Sequence, residues 1–318
     1  MIEVTPQERA EWAELLANRP GRSGTAAPVA AARQPHVHPD GHPHAHQASE
    51  PDHEPTPAAI DEWTLGSTQV FAIASGKGGV GKSTITSNLA AELARRGLAV
   101  GVLDADLNGF SLPRMLGAST KAEKQGDLLS AGQAHQVKLM SLGMFANTED
   151  AVVWRGPVMN RALEQFLGET DWGELEVLLV DLPPGTGDVA ISIAQLLPQA
   201  EVIIVTTPQM AAAEVAARAG AMTKHTHQRV RGVVENMSWL ALPDGTLVTP
   251  FGSGGGELVA AKLTQQLGEP ISLLAQIPLA DAVRIGSDNG IPVVLSTPES
   301  DAAHAIQQLA SALIPSGQ

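Results

Sequence analysis

The chain has 318 residues, 43% apolar and 17% charged, with 20 Lys and Arg against 34 Asp and Glu for a formal net charge of −14. That is enough apolar material for a large buried core, so a wholly disordered chain is excluded. An acidic chain without a long basic run repels a phosphate backbone, so no nucleic-acid partner is expected. No run approaches the ~20 apolar residues a membrane span needs, and the charged N-terminus lacks the apolar stretch of a secretory signal. No membrane partner is expected, and the simplest location is the cytoplasm. The chain has no cysteine. Disulfides, thiolate nucleophiles and Cys-ligated zinc or iron–sulfur clusters are therefore beyond this chain alone.

Residues 1–19 read as a short amphipathic helix. Thr5 and Glu8 form a capping box with Pro6 at the first helical position, and Trp12, Leu15 and Leu16 share one face. Residues 20–62 hold 8 of the 22 prolines and 6 of the 10 histidines, with almost no large aliphatic side chains. Such a segment has nothing to pack and is expected to be a disordered linker. Its histidines, His36, His38, His42, His44, His46 and His53, either bind Ni²⁺ or Zn²⁺ or reflect compositional drift.

Residues 63–318 are expected to form one α/β domain. Apolar runs at 70–74, 99–103, 137–140, 177–180, 202–205, 230–234 and 272–277 lack alternation, as strands buried on both faces do. Helical periodicity marks 85–96, 185–197, 210–222, 256–267 and 301–313. This rhythm predicts a mostly parallel sheet flanked by helices.

The first strand runs into Gly76-Lys77-Gly78-Gly79-Val80-Gly81-Lys82-Ser83, which fits G-x-x-x-x-G-K-[ST], is followed by Thr84 as a further nucleotide-binding residue, and opens a helix with Ile85, Leu89 and Leu93 on one face. Glycines let backbone N–H groups wrap phosphates, and the helix N-terminus adds a positive dipole end. Lys82 is expected to reach the β- and γ-phosphates of ATP, and the Ser83 hydroxyl to ligate Mg²⁺. The next strand ends in Leu103-Asp104-Ala105-Asp106. Strand C-termini are where α/β sheets place ligand groups. Two acids at i and i+2 of a strand point the same way, towards metal and attacking water; a helix cap or turn is the alternative. The run 177–180 ends in Asp181, as a strand supplying a water-mediated Mg²⁺ ligand does.

The motifs then accumulate in a familiar order. KGGVGKS, LDAD, WRGP (154–157), DLPPGTGD (181–188), TTP (206–208), ENMS (235–238) and FGSGGGE (251–257) resemble those of the Mrp or ApbC-like iron–sulfur cluster carriers. These belong to the MinD/ParA branch of deviant-Walker P-loop ATPases, and the match spans about residues 68–297. The resemblance implies that Lys77 crosses a homodimer interface to the partner's nucleotide. It implies that Asp106 orients or deprotonates the water, with Asp104 facing the metal. Asn236 would read the adenine edge, with Pro278 beside the base. Where the family often has Asp two residues after that proline, this chain has Ala280, with Asp281 one later. Residues 2–18 resemble the tail of a small N-terminal domain carried by many members.

The family implies ATP hydrolysis, slow because no arginine finger is evident, and apo iron–sulfur clients or assembly proteins as partners. It also implies a bridging [4Fe–4S] cluster held by a C-x-x-C pair after ENMS. Here those positions are Leu242 and Gly245, inside Pro243-Asp244-Gly245, a turn sequence. An ATP-driven assembly factor without its own cluster site follows. The alternatives are a MinD/ParA-like spatial-organisation ATPase and a metal chaperone using the histidines. Against the first, residues 301–318 hold no Lys or Arg for a basic membrane helix.

Overall fold

The computed structural model describes residues 66–106, 109–118, 124–125, 128–144 and 156–315. All of them lie in the unit Pro57–Gln318. The expected N-terminal helix, the linker with its histidines and the first half of WRGP lie outside the described residues.

In chain order the elements are β1 (Gln69–Ser75), α1 (Lys82–Arg95), β2 (Val100–Asp104), α2 (Leu112–Met115), β3 (Lys124–Gln125), β4 (Leu128–Leu129), β5 (Gly132–Ala134) and β6 (Val137–Ser141). Then follow α3 (Gly156–Gly168), β7 (Val177–Asp181), α4 (Asp188–Leu196), β8 (Glu201–Thr206), α5 (Met210–Ala221), α6 (Thr223–Thr226) and β9 (Val230–Asn236). The last are β10 (Leu240–Ala241), β11 (Leu247–Val248), α7 (Gly255–Leu267), β12 (Leu273–Ile277), α8 (Asp281–Asn289), α9 (Val293–Ser296) and α10 (Asp301–Leu313).

Eight strands form one sheet in the order β12-β9-β8-β1-β7-β2-β6-β5. Every pairing in it is parallel except β5 with β6. All seven expected strands are present within a residue or two of their expected ends. β2 and β7 are buried at every residue, and β1 at all but its first. That is the pattern of strands covered on both faces, and it explains why the apolar runs do not alternate. The five expected helices are present too. Five more were not anticipated, of which α2, α6 and α9 are single turns; of the two longer ones, α3 begins within WRGP at Gly156-Pro157, and α8 carries Gly286 where a helical stripe would place a larger apolar residue. Gly286 is there because a Cβ would run into the carbonyl oxygen of Ile291.

The phosphate-loop helix is tied to the C-terminal helix through a buried acid. Glu92, on α1, accepts from Arg95 at 2.8 and 2.9 Å and from Arg96 at 2.8 Å. Arg96 then donates to the Gln307 carbonyl of α10 at 2.6 Å. Burial pushes the Glu92 carboxyl up, but the two guanidinium bonds and charges outweigh it and hold it below its ordinary value. Its stabilising contribution is therefore present above the unfolded value of 4.5 and lost as pH falls through the lower folded value. Glu92→Gln is expected to cost about 2 kcal/mol at pH 7, less than a fully buried pair because Arg95 is 47% exposed. The difference from wild type in thermal unfolding should shrink below about pH 4. An equal deficit at pH 7 and pH 3 would refute the ionic account.

Candidate functional site

β1 lies mid-sheet between β7 and β8. The chain leaving it must turn sharply to enter α1, and glycine makes that turn possible. Gly81, the residue before α1, has φ 85, and a Cβ there would meet the Asn236 amide. A Cβ on Gly76 would strike the backbone of Val215 and Ala216 in α5. The loop is thus walled by neighbouring elements, and only glycine lets it lie so close. Gly78 and Gly79 are exposed, and Val80 is buried. Thr84 is half-buried in the first turn of α1, where its carbonyl accepts from Asn88 Nδ2 at 2.8 Å.

The loop's functional side chains converge on one buried acid. Lys82 Nζ lies 2.8 Å from Asp181 Oδ1 and 3.8 Å from Asp106 Oδ2. Ser83 Oγ donates to Asp181 Oδ2 at 2.6 Å, and Thr86 Oγ1 donates to Asp181 Oδ1 at 2.9 Å. Thr86 lies three residues beyond Ser83, on the same face of the helix. Burial raises the Asp181 carboxyl against the pull of Lys82, Ser83 and Thr86.

Asp104 is the Cα partner of Asp181 across β2 and β7, and it too is buried. Burial first, then repulsion from Asp181, lifts its carboxyl to about 7; Ser141, the Asp106 amide and Lys82 pull the other way. Its Oδ1 accepts from Asp106 N at 3.2 Å and its Oδ2 from Ser141 Oγ at 3.0 Å. Asp106 departs from the expectation of two strand acids side by side. β2 ends at Asp104, and the Asp104 side chain turns the following backbone, so Asp106 leaves the strand and approaches Lys82 from the loop.

The remaining expected residues sit around this centre. Lys77 Nζ donates to Gln209 Oε1 at 3.1 Å. Gln209 precedes α5 and was not anticipated. Asn236, at the end of β9, is buried and donates from Nδ2 to the Val80 carbonyl at 2.9 Å. It pins the phosphate loop with one amide hydrogen. Pro278 is buried beyond β12, where Ile277 and Leu279 exchange backbone bonds with Ser238 and Trp239. Asp281 is 90% exposed on α8 and lies 3.7 Å from Arg284.

The donor set fits a magnesium nucleotide. Lys82 is buried, and its Nζ is held by the carboxylates of Asp181 and Asp106. An ammonium held that way beside a glycine cradle suits phosphate oxygens. Ser83, Asp181 and Asp104 supply the hard oxygen atoms that Mg²⁺ prefers.

The residues do not fit an iron–sulfur cluster. Leu242 and Gly245 lie on the hairpin β10–β11, whose turn closes through Leu242 N to Thr246 O at 2.8 Å and Thr246 N to Asp244 Oδ1 at 2.9 Å. The expected turn is therefore present. Neither residue carries a side chain that can ligate iron, and among the described residues no group of three His, Cys, Asp or Glu could hold a metal ion.

A mostly parallel sheet with a phosphate loop leaving its central strand and acids ending β7 and β2 is the architecture of the P-loop NTPase class. The family model described as ParA, "NUBPL iron-transfer P-loop NTPase", matches residues 66–314, and the chain belongs to that family. The resemblance drawn from the motifs is thereby borne out. The iron-sulfur cluster carrier protein of Mycobacterium tuberculosis is 55% identical over 246 residues, which are 77% of this chain and 65% of that relative's length. The chain thus spans a little under two thirds of that relative. The Pyrococcus horikoshii protein of the same name is 41% identical over 77% of this chain and 85% of its own. Among solved structures, a nucleotide-binding protein from Archaeoglobus fulgidus in complex with ADP is similar at TM-score 0.61 and 32% identity, covering 76% of this chain and 93% of that one. The septum site-determining protein MinD of P. horikoshii, complexed with Mg-ADP, shares the fold at TM-score 0.57 and 24% identity, over 78% of this chain and 96% of that one. No described helix is long and apolar enough to cross a membrane.

Proposed function

We propose that this chain is a Mg²⁺-dependent ATPase that works as a homodimer in the cytoplasm and drives iron–sulfur cluster assembly without ligating the cluster itself. The working unit is residues 63–318. The observation that carries the reading is the convergence of Lys82, Ser83 and Thr86 on buried Asp181 beneath a glycine cradle. Lys82 turns from Asp181 to the β- and γ-phosphates, and the backbone amides of Gly78 to Ser83 bind the phosphate oxygens. Ser83, Asp181 and Asp104 would hold Mg²⁺, which would supply charge neutralisation at the phosphates. Asp106 orients the attacking water and takes its proton. Asn236 holds Val80 with one amide hydrogen and offers the rest of its amide to adenine. The names of the relatives support the iron–sulfur role, and the absence of cysteine directs it to clusters held by client or partner chains.

The test is anaerobic reconstitution with iron and sulfide, then desalting, iron analysis and a visible spectrum, with Mg-ATP hydrolysis measured on the same sample. ATPase activity with no bound cluster supports the reading. Bound iron with a broad cluster absorbance refutes the claim that the chain cannot hold one.

The homodimer has its own test. Lys77 Nζ is held by Gln209 Oε1 at 3.1 Å, and by the family resemblance its charge acts on a partner's nucleotide. Lys77→Ala is expected to bind ATP as wild type does but hydrolyse it about a hundredfold more slowly. Wild-type specific activity should rise with protein concentration through the dimer's dissociation constant. Activity independent of concentration, and untouched by Lys77→Ala, would exclude the shared site.

A further inference from the structure

Ser141 ends β6 and is the Cα partner of Asp104. It is fully buried and belongs to none of the motifs above. Its hydroxyl has a defined direction. Gly143 N donates to Ser141 Oγ at 3.1 Å, so the oxygen's own hydrogen is free to point at Asp104 Oδ2, 3.0 Å away. Asp104 then uses its other oxygen to accept from Asp106 N at 3.2 Å. Asp106 in turn stands 3.8 Å from Lys82. An unbroken line of contacts therefore runs from the turn after β6 to the acid beside the phosphate-loop lysine.

The same turn also holds the far side of the Asp106 segment. Phe110 lies against Gly143 so closely that a Cβ there would meet its ring. Gly109 N bonds back to the Asp106 carbonyl at 3.3 Å. The backbone around Asp106 is thus fastened at Asp104 on one side and seated on Gly143 on the other. Both fastenings come from one short segment, Ser141 to Gly143.

We propose that Ser141 is a positioning residue for hydrolysis: through Asp104 it sets where Asp106 stands relative to Lys82. The proposal rests on the ATPase reading for its kinetic consequence, but its structural content does not. A hydrogen bond to a buried carboxylate that fixes a loop should act on the chemical step more than on binding, because the phosphate-loop amides are untouched.

Two measurements test it. The first is amide hydrogen exchange by NMR on nucleotide-free protein. Ser141→Ala should speed exchange at Asp106, Gly109 and Gly143, with α1 amides unchanged. The second is steady-state hydrolysis. Ser141→Ala should lower kcat about tenfold, with the KM for ATP within about twofold of wild type. Asp104→Ala, which removes both bonds, should also lower kcat, and the double variant should be no slower than Asp104→Ala, since Ser141 acts through Asp104. Unchanged exchange at Asp106 overturns the proposal, as do additive losses in the double variant. A Ser141→Ala protein whose ADP affinity also collapses points to general unfolding and overturns it too. A wild-type chain that hydrolyses no ATP sinks the functional reading instead, and the exchange measurement still decides whether Ser141 seats Asp106.

Discussion

Lys82→Ala is expected to lower kcat for Mg-ATP hydrolysis by about a hundredfold or more, leaving little above background. The reason is local. Lys82 is the ammonium that the loop places inside the protein, 6% exposed and 2.8 Å from Asp181. A buried ammonium paired with Asp181 is poised for charge that develops on phosphate oxygens during the reaction. The same substitution leaves Asp181 and Asp104 buried together without their cation. Breaking a buried pair from one side typically costs roughly 3 kcal/mol or more. Nucleotide-free Lys82→Ala should therefore unfold at a lower temperature than wild type at pH 8. The deficit should shrink at pH 5, where Asp104, with its carboxyl at about 7, already carries a proton. Hydrolysis by Lys82→Ala within about threefold of wild type would end the P-loop assignment of the activity.

Asp104→Asn should do the opposite to stability while still impairing hydrolysis. Burial and the neighbouring Asp181 raise the Asp104 carboxyl from 3.8 to about 7. A carboxyl whose folded value lies above its unfolded value stabilises the fold fully below about pH 4. That contribution is lost as pH rises through about 7. At pH 8 the charged side chain is then a burden of a few kcal/mol in protein free of magnesium and nucleotide. Asparagine does not titrate, and it can keep both local bonds, accepting from Asp106 N and donating to Ser141 Oγ. Its thermal midpoint should exceed that of wild type at pH 8 by several degrees, and the gain should vanish towards pH 4. Saturating Mg-ADP should narrow the gap at pH 8, because a cation beside Asp104 removes the reason for the shift. A midpoint for Asp104→Asn below that of wild type at pH 8 would show that the site holds Asp104 charged at no cost. Such a trade of stability for a charged site is common where activity depends on a buried acid.

The fold was legible because burial on both faces erases alternation. Residues 70–74 and 177–180 are apolar runs for that reason, and both are strands of the central sheet. The phosphate loop was legible because glycine spacing reports a backbone path that other residues cannot follow. Gly81 shows why: φ 85 and the Asn236 amide leave no room for a Cβ. The helix α8 was not legible, since its apolar stripe is short and broken by Gly286. Gln209, Ser141 and Thr86 were missed for a different reason. Each is an ordinary polar residue whose role depends on what a distant strand or helix sets beside it.

The sequence by itself determined the class of protein, the phosphate loop and the acids that end two strands. Those are local properties: periodicity, glycine spacing and the residue at a strand's end. It also determined that no thiolate is available for a cluster. Only the tertiary structure decided that Asp104 and Asp181 share a register, that Lys82 lies buried between Asp181 and Asp106, and that Ser141 fastens Asp104. Those relations join α1, β2, β6 and β7, which meet because the crossover helices return parallel strands to one sheet. Charge burial and the direction of a hydroxyl follow from that meeting, and no local pattern encodes them.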